Sequence, residues 1–258
     1  MIIDTHTHLY LPEFEDGGVA AVNRAVEAGV GEMIFPNVDL TTIAPMKALH
    51  AQFPSITHMA MGLHPTEIGE DWRDRLAQIE EEWRSGTPYV AVGEIGIDLY
   101  WDTTFAEQQM MAFEQQLHWA LESSRPVIIH CRNGLDQTLE VLQGCPGITG
   151  VMHSFGGTDQ DVDRVRRVAD MYFGINGIVT FKNSKLRNTL PAITTSRLLV
   201  ETDSPYLAPV PYRGKRCESS MLPATVAHIA DTLRLPAASI QTITTANART
   251  LFSLSTPS

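Results

Sequence analysis

The sequence predicts a TIM (β/α)8 barrel, on three observations. Eight short β-rich runs alternate with amphipathic helical stretches from one end of the chain to the other. No low-complexity segment, charge block or linker interrupts the 258 residues. They read as one domain, 1–258, a length that α/β barrels commonly reach. The turn after the first run holds histidines, where a doubly wound open sheet would carry a Gly-rich loop.

Strand one is the apolar run Met1-Ile2-Ile3 leading into Asp4. A loop from Tyr10 to Gly18 precedes a helix from Val19 to Ala28, with Gly29 placed as a C-cap. Strand two is Glu32 to Phe35, stopped by Pro36, and Thr41 or Thr42 caps a helix running to about Gln52. Strand three is Ile56 to Met61, and Asp71 to Trp83 is a helix with an acidic outer face. Strand four is Tyr89 to Val92, running into Gly93-Glu94-Ile95-Gly96. The helix Phe105 to Leu121 carries Phe113, Leu117 and Ala120 at helical spacing, with Met110 and Met111 expected beside Phe113 in the core. Strand five is Val127 to His130, and Leu135 to Leu142 is helical up to Gly144. Strand six is Gly150 to His153, followed by a helix from Asp159 to Ala169. Strand seven, Met171 to Ile175, precedes a short helix between Ser184 and Leu190. Strand eight is Arg197 to Asp203, and helices over Met221 to Thr232 and Ser239 to Phe252 complete the chain.

Composition narrows the function classes. Hydrophobic residues are 43% and charged residues 19%, as in a globular protein with a sizeable core. No apolar run approaches the ~20 residues of a membrane span. Met1-Ile2-Ile3 meets Asp4 and His6 at once, so no secretory signal is expected. Cys131, Cys145 and Cys217 form no C-x-x-C pair, which argues against a disulfide framework or a zinc ribbon and predicts a cytoplasmic protein. The net charge of −11 speaks against nonspecific wrapping along nucleic acid. It leaves room for an enzyme that grips a few phosphates locally.

The chemistry gathers at strand ends. In strand geometry Asp4, His6 and His8 share one face, which brings two imidazoles to a common point, a usual arrangement for metal binding. His64 follows strand three, Glu94 follows strand four, His130 ends strand five, His153 ends strand six and Asp203 ends strand eight. A parallel barrel opens all of these ends on one mouth. Each residue alone reads equally as a core histidine or a capping carboxylate. Together, His6, His8, His130, His153, Glu94 and Asp203 are enough ligands for two metal ions sharing a carboxylate. Cys131 alternates to the other side of its strand from His130 and is no ligand.

Asp4-Thr5-His6-Thr7-His8, Gly62-Leu63-His64-Pro65, Gly93-Glu94-Ile95-Gly96-Ile97-Asp98 and Ile129-His130-Cys131-Arg132 resemble the TatD family of metal-dependent hydrolases. So do His153-Ser154-Phe155 with Gly157, Thr180-Phe181-Lys182, Glu201 through Leu207, Arg213-Gly214-Lys215-Arg216 and Asn247-Ala248-Arg249, in the family's order across nearly the whole chain. The resemblance implies a TIM barrel and a metal-dependent deoxyribonuclease or exonuclease. Single-stranded or 3'-5' exonucleolytic cleavage of DNA, or of another phosphodiester, is the expectation. It also implies that His6, His8 and Asp203 hold one divalent ion, that His130 and His153 hold a second, and that Glu94 bridges them. Cys217, Ser219 and Gly156 depart from the family's usual Asn, Pro and Ser, which touches substrate choice more than ligation.

A water activated by two ions would attack phosphorus. Two roles suit Asp203: ligand alone, or ligand and general base. Imidazole-rich ligation suits Zn, Mn or Fe, while the resemblance implies that Mg or Mn serves. His64 is read as a contact to substrate or leaving group. Arg132, two residues beyond His130, and Lys182, Arg213, Lys215 and Arg216 near the mouth are candidate phosphate contacts. The plainer reading of the loop is solvated charge, or salt bridges to Glu201 and Glu218. Tyr100 and Trp101 either stack on a base or cover the rim. The alternatives to a nuclease are a metal-dependent ester or amide hydrolase, such as an aminoacyl-RNA deacylase or a cyclic amidohydrolase, and a non-catalytic metal-binding barrel.

Overall fold

The computed structural model describes residues 1–255. Eight strands pair in parallel in sequence order: β1 (Ile2–Asp4), β2 (Val30–Pro36), β3 (Thr57–Met61), β4 (Ala91–Asp98), β5 (Val127–Arg132), β6 (Thr149–Met152), β7 (Asp170–Ile175) and β8 (Leu198–Val200). Thr5 N donates to Val200 O and Asp203 N donates to His6 O, so the sheet comes round on itself as a TIM barrel. The helices are α1 (Val19–Glu27), α2 (Ile43–Gln52), α3 (Trp72–Trp83), α4 (Ala106–Ser123), α5 (Leu135–Gly144), α6 (Asp159–Val168), the single-turn α7 (Leu186–Thr189), α8 (Leu222–Leu233) and α9 (Ala237–Phe252). No helix among the described residues is long and apolar enough to cross a membrane.

The strands read as short apolar runs because the parallel sheet is covered on both sides. One apolar cluster takes a residue from each strand: Ile3, Ile34, Ala60, Ala91, Ile128, Val151, Tyr172 and Leu199. Leu251, Phe252 and Leu254, from the end of α9 and just beyond, join the same cluster and plug the barrel's N-terminal end. The larger cluster lies between sheet and helices, where α1 buries Ala21, Val22 and Ala25 at helical spacing. In α4, Phe113, Leu117 and Ala120 are buried as their spacing predicts. Met111 is not: one helical step from Met110 turns it outward, and it is 51% exposed.

The Asn247-Ala248-Arg249 run belongs to this closed end. Asn247 Nδ2 donates to Thr195 O at 2.7 Å and Leu198 O at 2.8 Å. Arg249 pairs with buried Glu32, which also meets His58 Nε2 at 2.8 Å. These contacts lie away from the mouth and serve stability.

Several strand ends differ from the sequence reading. β1 stops at Asp4, so His6 and His8 stand on the segment beyond it. That segment still runs between neighbours, because Thr7 N donates to Ile34 O and His8 N donates to Ser204 O. β4 runs on through Asp98, because Ile95 to Asp98 pair with Ile129 to Arg132 of β5, and Glu94 lies inside the strand. β8 ends at Val200, and Asp203 sits beyond it with φ +60, a left-handed conformation that Asp tolerates better than most residues.

Candidate metal centre

Beyond the C-terminal ends of the strands, His6, His8, Glu94, His130, His153 and Asp203 converge, with His64 beside them. Three ligand groups form, each with its donor atoms within 4.8 Å of one another: His6, His8 and Asp203; His6, Glu94 and His153; His64, Glu94 and His130. Glu94 is the hub. Its Oε2 lies 3.1 Å from His6 Nε2 and 3.5 Å from His8 Nε2. Its Oε1 lies 3.0 Å from His130 Nδ1, 3.3 Å from His64 Nε2 and 3.6 Å from His153 Nε2. Asp203 Oδ1 is 3.8 Å from Nε2 of His6, His8 and His153.

The far nitrogens of the imidazoles decide which lone pairs face inward. Tyr10 donates its hydroxyl proton to Pro36 O, so its oxygen accepts from His8 Nδ1 at 2.8 Å and leaves Nε2 bare toward the cluster. His153 Nδ1 lies 2.9 Å from Glu201 Oε1, an ion pair that keeps the proton on that nitrogen and turns Nε2 inward. His130 presents Nδ1 to Glu94 and its Nε2 lies 2.8 Å from Asp98 Oδ2. Paired carboxylates and hydroxyls behind histidines are a usual support for metal ligands. His64 is arranged the other way. Its Nδ1 accepts from Thr66 N at 3.2 Å, so its Nε2 carries the proton and points a donor at the cluster.

The electrostatics ask for a cation. Burial disfavours the charge on Glu94, yet His6, His64, His153 and His130 hold its pKa well below the usual carboxylate range. Burial, with help from His153, drives the pKa of His6 well down. Burial also opposes charge on His153, but Glu201, Glu94 and Asp203 push its pKa up to about 10. Asp203 is raised to about 6 by burial, against the pull of His153 and His8. His6 Nε2 and His8 Nε2 face each other at 3.0 Å, a separation that suits two lone pairs sharing an ion. The donor set therefore fits divalent metal.

Asp4 makes no hydrogen bond to the imidazole rings, although strand alternation places it on their face. Its carboxylate accepts from Thr202 N at 3.0 Å, from Thr202 Oγ1 at 2.7 Å and from His6 N at 3.3 Å. It holds the backbones on either side of the seam. Glu201 is fully buried against His153 and makes no salt bridge with the loop after β8, whereas Glu218 pairs with Arg216 of that loop and with Arg24 of α1.

The site opens into a cleft of about 1350 Å³ lined by His8, His64, Glu94, His130, His153 and Asp203, with Trp101 and Arg132 at its edge. Among the described residues its cations apart from histidine are Arg132 and Arg164, the latter paired with Asp136. Arg213 lies 3.8 Å over the Phe181 ring and donates to Ala208 O. Arg216 lies over Phe14 and pairs with Glu218 at 3.0 Å. Lys182 and Lys215 are exposed and do not line the cleft. Cys131 accepts from Thr138 Oγ1 at 3.5 Å.

Tyr10, Asp98 and Glu201 back the imidazoles, a placement that the motif reading did not assign to them. Tyr10 carries a signal, since it continues the two-residue spacing of His6 and His8. Glu201 has a subtler one. A Cβ added at Gly174 would come within 2.1 Å of Glu201 Oε2, so the glycine on β7 makes room for the carboxylate.

Comparison with known proteins agrees with this geometry. The family model described as TatD related DNase matches residues 3–253. A metal-dependent hydrolase of Bacillus subtilis, YabD, is 32% identical over 255 residues, covering 98% of this chain and 99% of that protein. The 3'-5' ssDNA/RNA exonuclease TatD of Pectobacterium parmentieri is 31% identical over 261 residues, covering 98% of this chain and all of that protein (100%). The crystal structure of YjjV, a TatD homologue from Escherichia coli K12, superposes with a TM-score of 0.87 at 30% identity, covering 98% of both chains. With a family match spanning the barrel and a buried histidine–carboxylate cluster at its mouth, the chain belongs to the TatD-related DNase family and is a metal-dependent hydrolase.

Proposed function

We propose that this hydrolase cleaves phosphodiester bonds in single-stranded DNA or a related strand, working from an end, with two divalent ions. The observation that carries this reading is the convergence of inward-facing imidazole nitrogens on Glu94, beneath a cleft edged by Arg132. His6, His8 and Asp203 would hold one ion and His130 and His153 the other, with Glu94 between them. Mg, Mn and Zn are the candidate metals. Such ions supply Lewis acidity at phosphoryl oxygens and make water acidic enough to react near neutrality.

The protein's own groups do the rest. Tyr10, Asp98 and Glu201 fix the orientation of His8, His130 and His153, so the ligand set is held before substrate arrives. Asp203, with its side chain 16% exposed, faces the cleft and is placed to accept a proton from the attacking water. His64 presents its Nε2 proton to the reacting centre and can donate to a phosphoryl or leaving oxygen. Arg132 is placed to hold a phosphate by a charge-assisted hydrogen bond. The three free cysteines support a reducing, cytoplasmic setting.

One observation favours a second reading. Arg213 and Arg216 do not line the cleft, which leaves few cations for a long phosphate backbone and suits a small ester or cyclic amide. One experiment separates the two. The purified protein is analysed for metal, then assayed with Mg, Mn or Zn on an end-labelled single-stranded oligodeoxynucleotide, an aminoacyl-RNA ester and a cyclic amide. Progressive shortening of the strand is expected. Turnover of the ester or amide with the strand intact under every metal would overturn the nuclease reading.

A further inference from the structure

We propose that Trp101, backed by Tyr100 and Arg132, is a stacking platform for one nucleobase of a single-stranded substrate, at the rim of the cleft on the β4–β5 side. This rests on the nuclease reading above and specifies how the strand is gripped.

Trp101 is 73% exposed, more than any other large apolar side chain among the described residues, and Tyr100 beside it is 51% exposed. An indole left in water forgoes hydrophobic stabilisation, so its position calls for an occupant or a covering role. A rim cover would lie flat against neighbouring apolar groups. Trp101 instead meets Tyr100 edge-on, with ring centroids 4.8 Å apart and planes at 89°, and lines the cleft. Its support is polar. The Arg132 guanidinium lies 3.7 Å over the Tyr100 ring and 5.2 Å from the centre of the Trp101 ring.

The platform is tied to the reacting centre through two short connections. Arg132 follows His130 by two residues on β5. Tyr100 N donates to Asp98 Oδ1 at 2.9 Å, while the other oxygen of that carboxylate holds His130 Nε2 at 2.8 Å. A strand whose phosphate sits at Glu94 and His130 therefore passes an arginine and then an open indole face. Single strands are bound in this way elsewhere, by a cation on the backbone and an aromatic ring under a base. Carboxylates supply much of the remaining charge lining the cleft, among them Glu67, Asp136 and Asp161. An acidic surround repels a long anionic duplex and leaves local contacts of this kind to hold the strand. Stacking also tolerates any base, as an exonuclease passing along a strand requires.

The test is a cycle between protein and substrate. Metal-loaded wild type and Trp101→Ala are each assayed on a single-stranded oligodeoxynucleotide and on the same strand carrying one abasic site, scanned over the positions next to the cleaved bond. Trp101→Ala loses about tenfold in kcat/KM on the complete strand, mainly through KM. Wild type loses a similar factor when the abasic site reaches the platform. The variant loses nothing further on that substrate, and Trp101→Phe regains most of the loss. Equal kcat/KM for wild type and Trp101→Ala on the complete strand overturns the platform. Losses that multiply instead of coinciding overturn it too. Failure of wild type to cleave any strand overturns the nuclease reading and the platform together, so the two failures are told apart.

Discussion

Glu201 Oε1 lies 2.9 Å from His153 Nδ1, so a carboxylate just past β8 sets the ring that β6 delivers to the cluster. Oε1 also accepts from Ser154 N at 2.6 Å, which fixes the carboxylate against the segment that follows β6. Glu201→Gln keeps the shape and removes the charge. It is expected to weaken metal binding by roughly 10–100-fold, as losses of such supporting partners do. Calorimetric titration of the chelator-treated variant checks this, and wild-type affinity would remove Glu201 from the support of the site.

Stability should fall with rising pH on account of Asp4. Burial raises its pKa from 3.8 to about 7, against hydrogen bonds from Ser219, Thr202 and His6 that lower it. A carboxyl raised in the folded state contributes stability that is fully present below its unfolded pKa. That contribution is lost as pH climbs to the folded value. The window is therefore about pH 4 to 7, and the loss is roughly 4 kcal/mol at ~1.4 kcal/mol per pKa unit. Urea unfolding of the metal-free protein across that range, wild type against Asp4→Asn, isolates the effect. A pH-independent difference between the two would refute it.

Removing metal should abolish turnover and lower the melting temperature together. A ligand present at ~100 times its Kd stabilises by about 2.7 kcal/mol, or roughly 5–10 °C for a chain of this size. Scanning calorimetry before and after dialysis against chelator measures the shift, and re-addition of the metal should restore both activity and stability. Loss of activity with an unchanged melting temperature would mean that the ions bind more weakly than this cluster implies.

Arg132 and Arg216 should respond differently to alanine. Arg132→Ala is expected to raise KM on a single strand and to reduce the slope of log KM against log salt by about one. Arg216 pairs with Glu218 and donates to Glu13 O, so Arg216→Ala should cost about 1 kcal/mol in urea unfolding. A KM effect confined to Arg216 would reverse the assignment.

The fold was legible because every strand is short, apolar and followed by a helix, which leaves little choice of layer. The convergence of the candidate ligands was legible for a related reason: a parallel barrel brings strand ends to one mouth whatever their separation in sequence. What pattern could not supply is how each backbone leaves its strand. His6 and Asp203 stand past their strands, in segments joined by Asp203 N donating to His6 O across the seam. Alternation predicted that Asp4 would follow His6 onto the site. Its hydrogen bonds to Thr202 turn it to the backbone instead. The partners of the imidazoles were harder still, since Asp98–His130 and Glu201–His153 join residues 32 and 48 positions apart. Nor does the Arg213-to-Arg216 run announce that two of its guanidiniums are engaged by Phe181 and Glu218.

The seam between β1 and β8 has a consequence for biosynthesis. His6 and His8 leave the ribosome almost two hundred residues before Asp203, and their shared contact forms only when β8 has docked beside β1. A nascent or truncated barrel lacking β8 holds the histidines without the carboxylate that completes their group. High-affinity metal uptake at that group should thus report completion of the last step in barrel assembly, and a bound ion would act as a clasp on the joint between the oldest and youngest strands.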